Sequence, residues 1–233
     1  MFIVTGVSKG LGQAIVKLLL GQGEKVIGIG RSHQFNHSKF SFIECDLIDI
    51  NAIKNIQLPV LKGQLTLINN AGILGNVKRL SDQKSLDIAK VLLVNTIAPA
   101  ELTNIVYNSL ESKNDFRLVN ISSGAANRAI PSWAAYCASK AALNILTEAF
   151  FTEEKEKGNN IVAYAVSPGI IDTEMQMQIR NTDPSNFSEI QKFINFKEEN
   201  ELFTPKEAAE RLMLLLKIPF NQEIKADLRD VKH

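Results

Sequence analysis

Residues Phe2-Ile3-Val4-Thr5 form a short apolar run, and the run breaks at once into a turn with glycine at positions 6, 10 and 12. An apolar run without alternation reads as a strand covered on both faces, and such strands belong to parallel sheets flanked by helices. The rest of the chain repeats the theme. Strand-like runs stand at 2–5, 25–30, 40–45, 64–69, 117–122, 161–167 and 223–228, and helical patterns stand at 11–21, 84–109, 132–157 and 205–217. Strand and helix alternate, so the expected fold is α/β: a doubly wound, mostly parallel sheet of the Rossmann type. Pro99 should bend the 84–109 helix or mark an irregularity in it. Gly158 closes the 132–157 helix, and Pro205 suits the first turn of the last one. No linker or repeat interrupts the pattern, which predicts one domain over 1–233. Within it the polar stretch 172–204 has some helical pattern and is expected to cover a substrate.

Composition narrows what this fold serves. Hydrophobic residues are 45% and charged residues 22% of 233, ordinary for a globular chain with a sizeable core. Net charge is +1, which lacks the basic field that nucleic-acid binding uses. No apolar run reaches the ~20 residues of a membrane span, and the start lacks the charged flank of a signal peptide. Cys45 and Cys137 make neither a disulfide framework nor a metal-ligand pattern. They read as small buried apolar residues, which fits a cytoplasmic location. No nucleic-acid partner, membrane or metal is expected.

The glycine turn points to a phosphate. Gly6 can turn sharply, Gly10 lets the backbone approach an anion, and Gly12 allows close packing of helix on strand. Ser8, Lys9 and Leu11 stand on the same turn, and the helix that begins near Leu11 aims its free amides at the anion. This strand–turn–helix context predicts a dinucleotide site. An NAD site ordinarily places an acid about 20 residues further on, to accept from the ribose 2′-hydroxyl. Here the second strand ends Gly30-Arg31-Ser32, with no acid. Arg31 is suited to a 2′-phosphate, and Lys9 adds a second positive charge. The expected cofactor is NADP(H).

Tyr136-x-x-x-Lys140 puts a phenol and an ammonium on one helical face. Tyrosine near its ordinary pKa of about 10 is a weak acid–base group at neutral pH, and a nearby ammonium would lower that value. The tyrosine then gives a proton to a carbonyl oxygen as hydride reaches the carbon. Ser123 follows the fifth strand directly, at the sheet edge where ligands bind, and its hydroxyl can meet the same oxygen. Asn95 lies inside an apolar helical run, so its amide needs partners: either it satisfies a helix kink or it holds a water in a proton path.

These residues resemble the short-chain dehydrogenase/reductase family. The matching motifs are Thr5-Gly6-x-x-x-Gly10-x-Gly12, Asn69-Asn70-Ala71-Gly72, Asn95, Ser123, Tyr136-x-x-x-Lys140 and Pro168-Gly169, in the family's order and along the whole chain. The resemblance implies a catalytic tetrad of Asn95, Ser123, Tyr136 and Lys140, with Lys140 also on the nicotinamide ribose. It implies that Asp46 and Leu47 flank the adenine, that Asn69, Ala71 and Gly72 support the cofactor, and that Pro168, Gly169, Ile171 and Thr173 meet its nicotinamide end. The C-terminal third is similar to the sepiapterin reductase and benzil reductase branch, where Asp227 would stand at a pteridine-anchoring position. The leading expectation is an NADPH-dependent reductase of a ketone, aldehyde or α-diketone. The alternatives are a sepiapterin-type pteridine reductase, an NAD-linked alcohol dehydrogenase and a catalytically silent NADP(H)-binding regulator. Related enzymes pair two long helices across a two-fold axis, so a homodimer or homotetramer is expected.

Overall fold

Seven strands make one sheet in the computed structural model, which describes residues 1–232; His233, the end of the expected domain, lies outside them. The chain runs β1 (Phe2–Thr5), α1 (Gly10–Gly21), β2 (Val26–Gly30), β3 (Phe40–Glu44), α2 (Ile50–Lys54) and β4 (Leu65–Asn69). It continues α3 (Ser85–Leu92), α4 (Ala98–Asn108), β5 (Phe116–Ile121), α5 (Ala134–Glu156), β6 (Val162–Ser167), α6 (Glu174–Arg180), α7 (Ile190–Glu198), α8 (Pro205–Leu215) and β7 (Lys225–Asp227). The sheet order is β3-β2-β1-β4-β5-β6-β7. Every neighbouring pair is parallel, so the sheet is more uniform than the mostly parallel one expected. The order reverses between β1 and β4, and that switch point opens a crevice at the strands' carboxyl ends.

Both faces of the sheet are covered, as the unalternating strands require. Along β1, Ile3 packs with Leu67, Leu102 and Leu118 on one side, while Val4 packs with Ile15, Leu19 and Leu212 on the other. Each such side chain, fully buried, stabilises the fold by roughly 1.5–3 kcal/mol. The last helix starts where its sequence dictates. Thr204 and Glu207 form a reciprocal capping box, and Pro205 takes a position whose missing N–H is no loss.

The helix expected over 84–109 is broken. Between α3 and α4, residues Leu93–Ile97 form a π-turn. Pro99 supplies the reason: it has no N–H to give the carbonyl four residues back, which belongs to Asn95. The chain loosens there by one residue, a local form often found at functional sites. The 132–157 helix begins two residues late, after Ser132 at φ 69. The short helix α2 escaped the sequence reading, and the 172–204 stretch resolves into α6 and α7.

Candidate active site

A groove of about 870 Å³ runs along the switch point, lined by the glycine turn, Gly30 to Ser32, Asp46 to Ile48 and Asn70 to Asn76. Its floor is built for an anion. Gly6 and Gly10 take φ values of 70 and 57, and a Cβ on Gly12 would lie 2.2 Å from the Gly6 carbonyl oxygen. The first turn of α1 has no acidic residue and no capping side chain, so its amides are left for a ligand. Gly6, Ser8, Lys9, Gly10, Arg31, Ser32, Asp46, Leu47, Ala71, Gly72 and Thr173 all reach this groove, as expected of a dinucleotide site. The residues therefore fit the cofactor that the sequence implies.

Two of the expected contacts differ. Asn69 is buried away from the groove, where its Nδ2 donates to Asn120 Oδ1 at 2.8 Å. The groove residue is Asn70, which holds the turn: its Nδ2 donates to the carbonyls of Thr5 and Gly6 at 2.9 and 3.2 Å. Lys9 is not a free cation, because its Nζ pairs with Glu174 at the start of α6. Arg31 is exposed on the groove and enters no ion pair among the described residues.

A second cavity, of about 420 Å³, adjoins the groove and shares Asn70, Gly72, Leu74, Thr173 and Met175 with it. Ser123, Tyr136 and Lys140 line it, together with Leu11 and the run Pro168 to Ile171. Tyr136 and Lys140 come from the first turns of α5, and Ser123 from the end of β5. The Lys140 Nζ donates to the Ile121 carbonyl at 2.7 Å. Its side chain is 4% exposed, and burial lowers its pKa to about 8.

Tyr136 corrects one expectation. Burial pushes its phenol above the ordinary tyrosine value, a hydrogen bond with Ser123 pulls it part of the way back, and Cys137 raises it slightly. Burial prevails over the Lys140 ammonium, which lies 6.0 Å from the ring centroid and is bonded to a carbonyl. The phenol accordingly keeps its proton at neutral pH.

Asn95, in the π-turn, is fully buried, and its amide finds partners on other elements. Its amide clasps the backbone of Ile73, accepting from the N–H and donating to the carbonyl at 2.8 Å each. It also donates to Ser139 on α5 at 3.0 Å. The clasp leaves Asn95 Oδ1 facing the same spot as Lys140. A Cβ added to Gly72 would lie 3.3 Å from that oxygen and 3.5 Å from Lys140 Nζ.

Asp227 stands apart from the cavity. Burial would raise its carboxyl, but hydrogen bonds from Arg229 hold it below the usual range, and both carboxylate oxygens are engaged by that guanidinium. Arg229, not Asp227, lines the cavity. Sequence reasoning also missed the aromatic wall. Trp133 packs edge-on against Tyr136 and stacks on Phe187 at 5.2 Å, with Phe193 beside it. A tryptophan three residues before the tyrosine is the only sequence signal for it.

Residues 1–184 match the family described as short chain dehydrogenase. The chain is 35% identical to a benzil reductase ((S)-benzoin forming) of Bacillus cereus, over 92% of each chain. It is 33% identical to the benzil reductase of Bacillus subtilis, over 93% of each. Its fold superposes on the crystal structure of the YIR035C short chain dehydrogenase/reductase from Saccharomyces cerevisiae with a TM-score of 0.81, at 27% identity, over 98% of this chain and 96% of that one.

Proposed function

The chain belongs to the short chain dehydrogenase family, whose members are oxidoreductases using NAD(P)(H), and from that membership we propose that it is an NADPH-dependent carbonyl reductase with Tyr136 as proton donor. The observation that carries this reading is the convergence of Ser123, Tyr136 and Lys140 on the wall of one cavity that adjoins the phosphate-binding groove.

A dinucleotide held in the groove by the glycine turn and Arg31 would supply the hydride. The chain's residues do the rest. Ser123 and Tyr136 together hold the carbonyl oxygen, and the Tyr136 O–H bond breaks as that oxygen takes the proton. The carbonyl π bond is thereby replaced by one C–H and one O–H bond, and an alcohol results. Lys140, with a pKa of about 8, is able to pass a proton to the phenolate near neutral pH. A water held between Asn95 Oδ1 and Lys140 Nζ, beside Gly72, would refill the lysine.

The raised phenol favours reduction, because reduction starts from the protonated tyrosine and oxidation from the phenolate. Arg31, exposed on the groove, favours NADPH over NADH. The Bacillus relatives' name fits an α-diketone among the substrates. A pteridine reductase loses its support, since the carboxylate that would anchor the pteridine is engaged by Arg229. A silent regulator does not need an intact Ser123, Tyr136 and Lys140. Two free thiols and the absence, among the described residues, of any helix long and apolar enough to cross a membrane fit a cytoplasmic enzyme.

Initial rates with NADPH and NADH over a panel of aldehydes, ketones, α-diketones and pteridines test the reading. Turnover is expected with NADPH in clear preference. Tyr136→Phe should lower kcat by about 100-fold or more while NADPH binds normally. An active Tyr136→Phe enzyme would assign the proton to another group.

A further inference from the structure

The cavity that holds Ser123 and Tyr136 is lined by charges of one sign. Arg128, Lys140, Lys192 and Arg229 belong to its wall, and no aspartate or glutamate does among the described residues. Tyr136 and Lys140 are enclosed, at 7% and 4% exposure, whereas Arg128, Lys192 and Arg229 are exposed. The cavity therefore has a closed end, where the tyrosine lies, and a basic mouth. Two of the three mouth cations are already neutralised. Arg128 Nη1 and Nη2 donate to the two carboxylate oxygens of Glu189 at 3.0 and 2.7 Å. Arg229 donates from Nε and Nη2 to the two oxygens of Asp227 at 2.9 and 2.6 Å. Lys192 enters no ion pair among the described residues.

The position of that ammonium is set by its neighbours. Its Nζ lies 5.7 Å from the ring centroid of Phe196, itself a wall residue. Hydrogen bonds from Arg128 hold the Glu189 carboxyl below its usual range against the effect of burial, and Lys192 adds to this from close by without closing a bridge. Arg128, Glu189 and Lys192 together thus leave one positive charge unbalanced at the mouth. Walls of low dielectric strengthen such a charge, and a cleft of one sign gathers counter-ions. Between the closed end and the mouth the wall is aromatic. Trp133 packs edge-on against Tyr136 and, on its other side, against Phe193, the residue next to Lys192 on α7. A flat ligand that starts at Tyr136 and follows Trp133 and Phe193 arrives at the helix that carries the free ammonium.

We propose that the cavity takes aryl ketones carrying a carboxylate at the end remote from the reacting carbonyl, and that Lys192 selects them by pairing with that carboxylate at the mouth. The proposal rests on the carbonyl-reductase reading and names a substrate class for that same site. Neutral aryl ketones still fit the aromatic wall, but they leave the ammonium to water.

The test compares para-acetylbenzoate with its methyl ester, which keeps the ring and the ketone and removes the charge. Lys192→Gln removes the ammonium and keeps most of the stem; Lys192→Glu reverses the charge. Lys192→Gln should lower kcat/KM for para-acetylbenzoate about fivefold, the upper scale of an exposed ion pair, and leave the ester within about twofold. Lys192→Glu should lower the value for the acid further, and both losses should shrink at high salt as the charges are screened. Unchanged melting temperatures serve as the folding control. Equal losses on acid and ester, or no loss on the acid, overturn the assignment. Binding gives a second readout, because Trp133 is the chain's one tryptophan and lines the cavity. Its fluorescence in the NADP⁺ complex should report an affinity for para-acetylbenzoate that falls in both variants and an affinity for the ester that does not. If the wild type reduces neither ketone yet this pattern of binding holds, the assignment of Lys192 stands and the catalytic reading fails. Reduction of both ketones with unaltered binding in the variants does the reverse, and binding of neither ketone overturns the assignment.

Discussion

Lys140 is the residue whose chemistry is most exposed to measurement. Burial lowers its pKa from 10.5 to about 8 in the folded chain. Below about pH 8 the folded and unfolded chains both carry the proton, and the fold bears the full penalty of a buried ammonium. Between about 8 and 10.5 the folded chain has released the proton while the unfolded chain still holds it. The unfolded state then binds more protons, so stability rises with pH across that window. Relative to Lys140→Met, the wild type should gain on the order of 3 kcal/mol over it. Denaturant titrations of both proteins check this, and a constant difference would mean that the lysine keeps its proton throughout. At this scale the sequence was legible where spacing alone carries the meaning. Tyr136 and Lys140 share a helical face by arithmetic, and Ser123 comes just after a strand. Asn69 and Asn70 were harder: successive residues at a strand end face opposite sides, and nothing in the pair says which side holds the groove. Lys192 and Trp133 matter through what surrounds them, and single-residue patterns do not show surroundings.

The elements that meet at the groove are the glycine turn and α6. Lys9 of the turn pairs with Glu174 at the start of α6, and both residues line the groove. A phosphate entering there competes with the Glu174 carboxylate for the same ammonium. Glu174→Gln should therefore lower the KM for NADPH about two- to fivefold, the scale of an exposed ion pair. The gain should shrink at high salt as charges are screened. An unchanged or higher KM would show that the pair does not oppose the cofactor. The long elements were readable because periodicity accumulates over many residues; α5 and the β-strands came within a few residues of their expected bounds. The five-residue α2 is too short to show a period, and α6 and α7 lie in a polar stretch whose helices form by packing on the cavity. The π-turn was visible only as Pro99, since the proline marks a broken bond without saying how the helix repairs it.

Some apolar side chains on the long helices are left uncovered by the core. Ile145 and Leu146 stand on α5 at 60% and 41% exposure, and Ile97 ahead of α4 at 38%. We propose that these helices pair with a second copy in a homodimer or homotetramer. Ile145→Arg should give a monomer in sedimentation velocity, with an unfolding free energy lowered by no more than about 1 kcal/mol, as for a surface change. A wild-type chain sedimenting as a monomer at micromolar concentration would remove the proposal. The architecture itself was legible, because an alternation of strands and helices leaves few topologies and the parallel, doubly wound one is the simplest. That topology has a further effect, in time. The apolar face of α1, with Leu11, Ile15 and Leu19, is covered in part by α8 through Ala208, Leu212 and Leu215. Gly21 ends the first of these helices and Pro205 begins the second. At ~5–20 residues per second, a ribosome needs about 10–40 s to travel between them. For that interval the apolar residues of α1 exist without the α8 side chains that cover them, so this layer of the core can close only after most of the chain has been made.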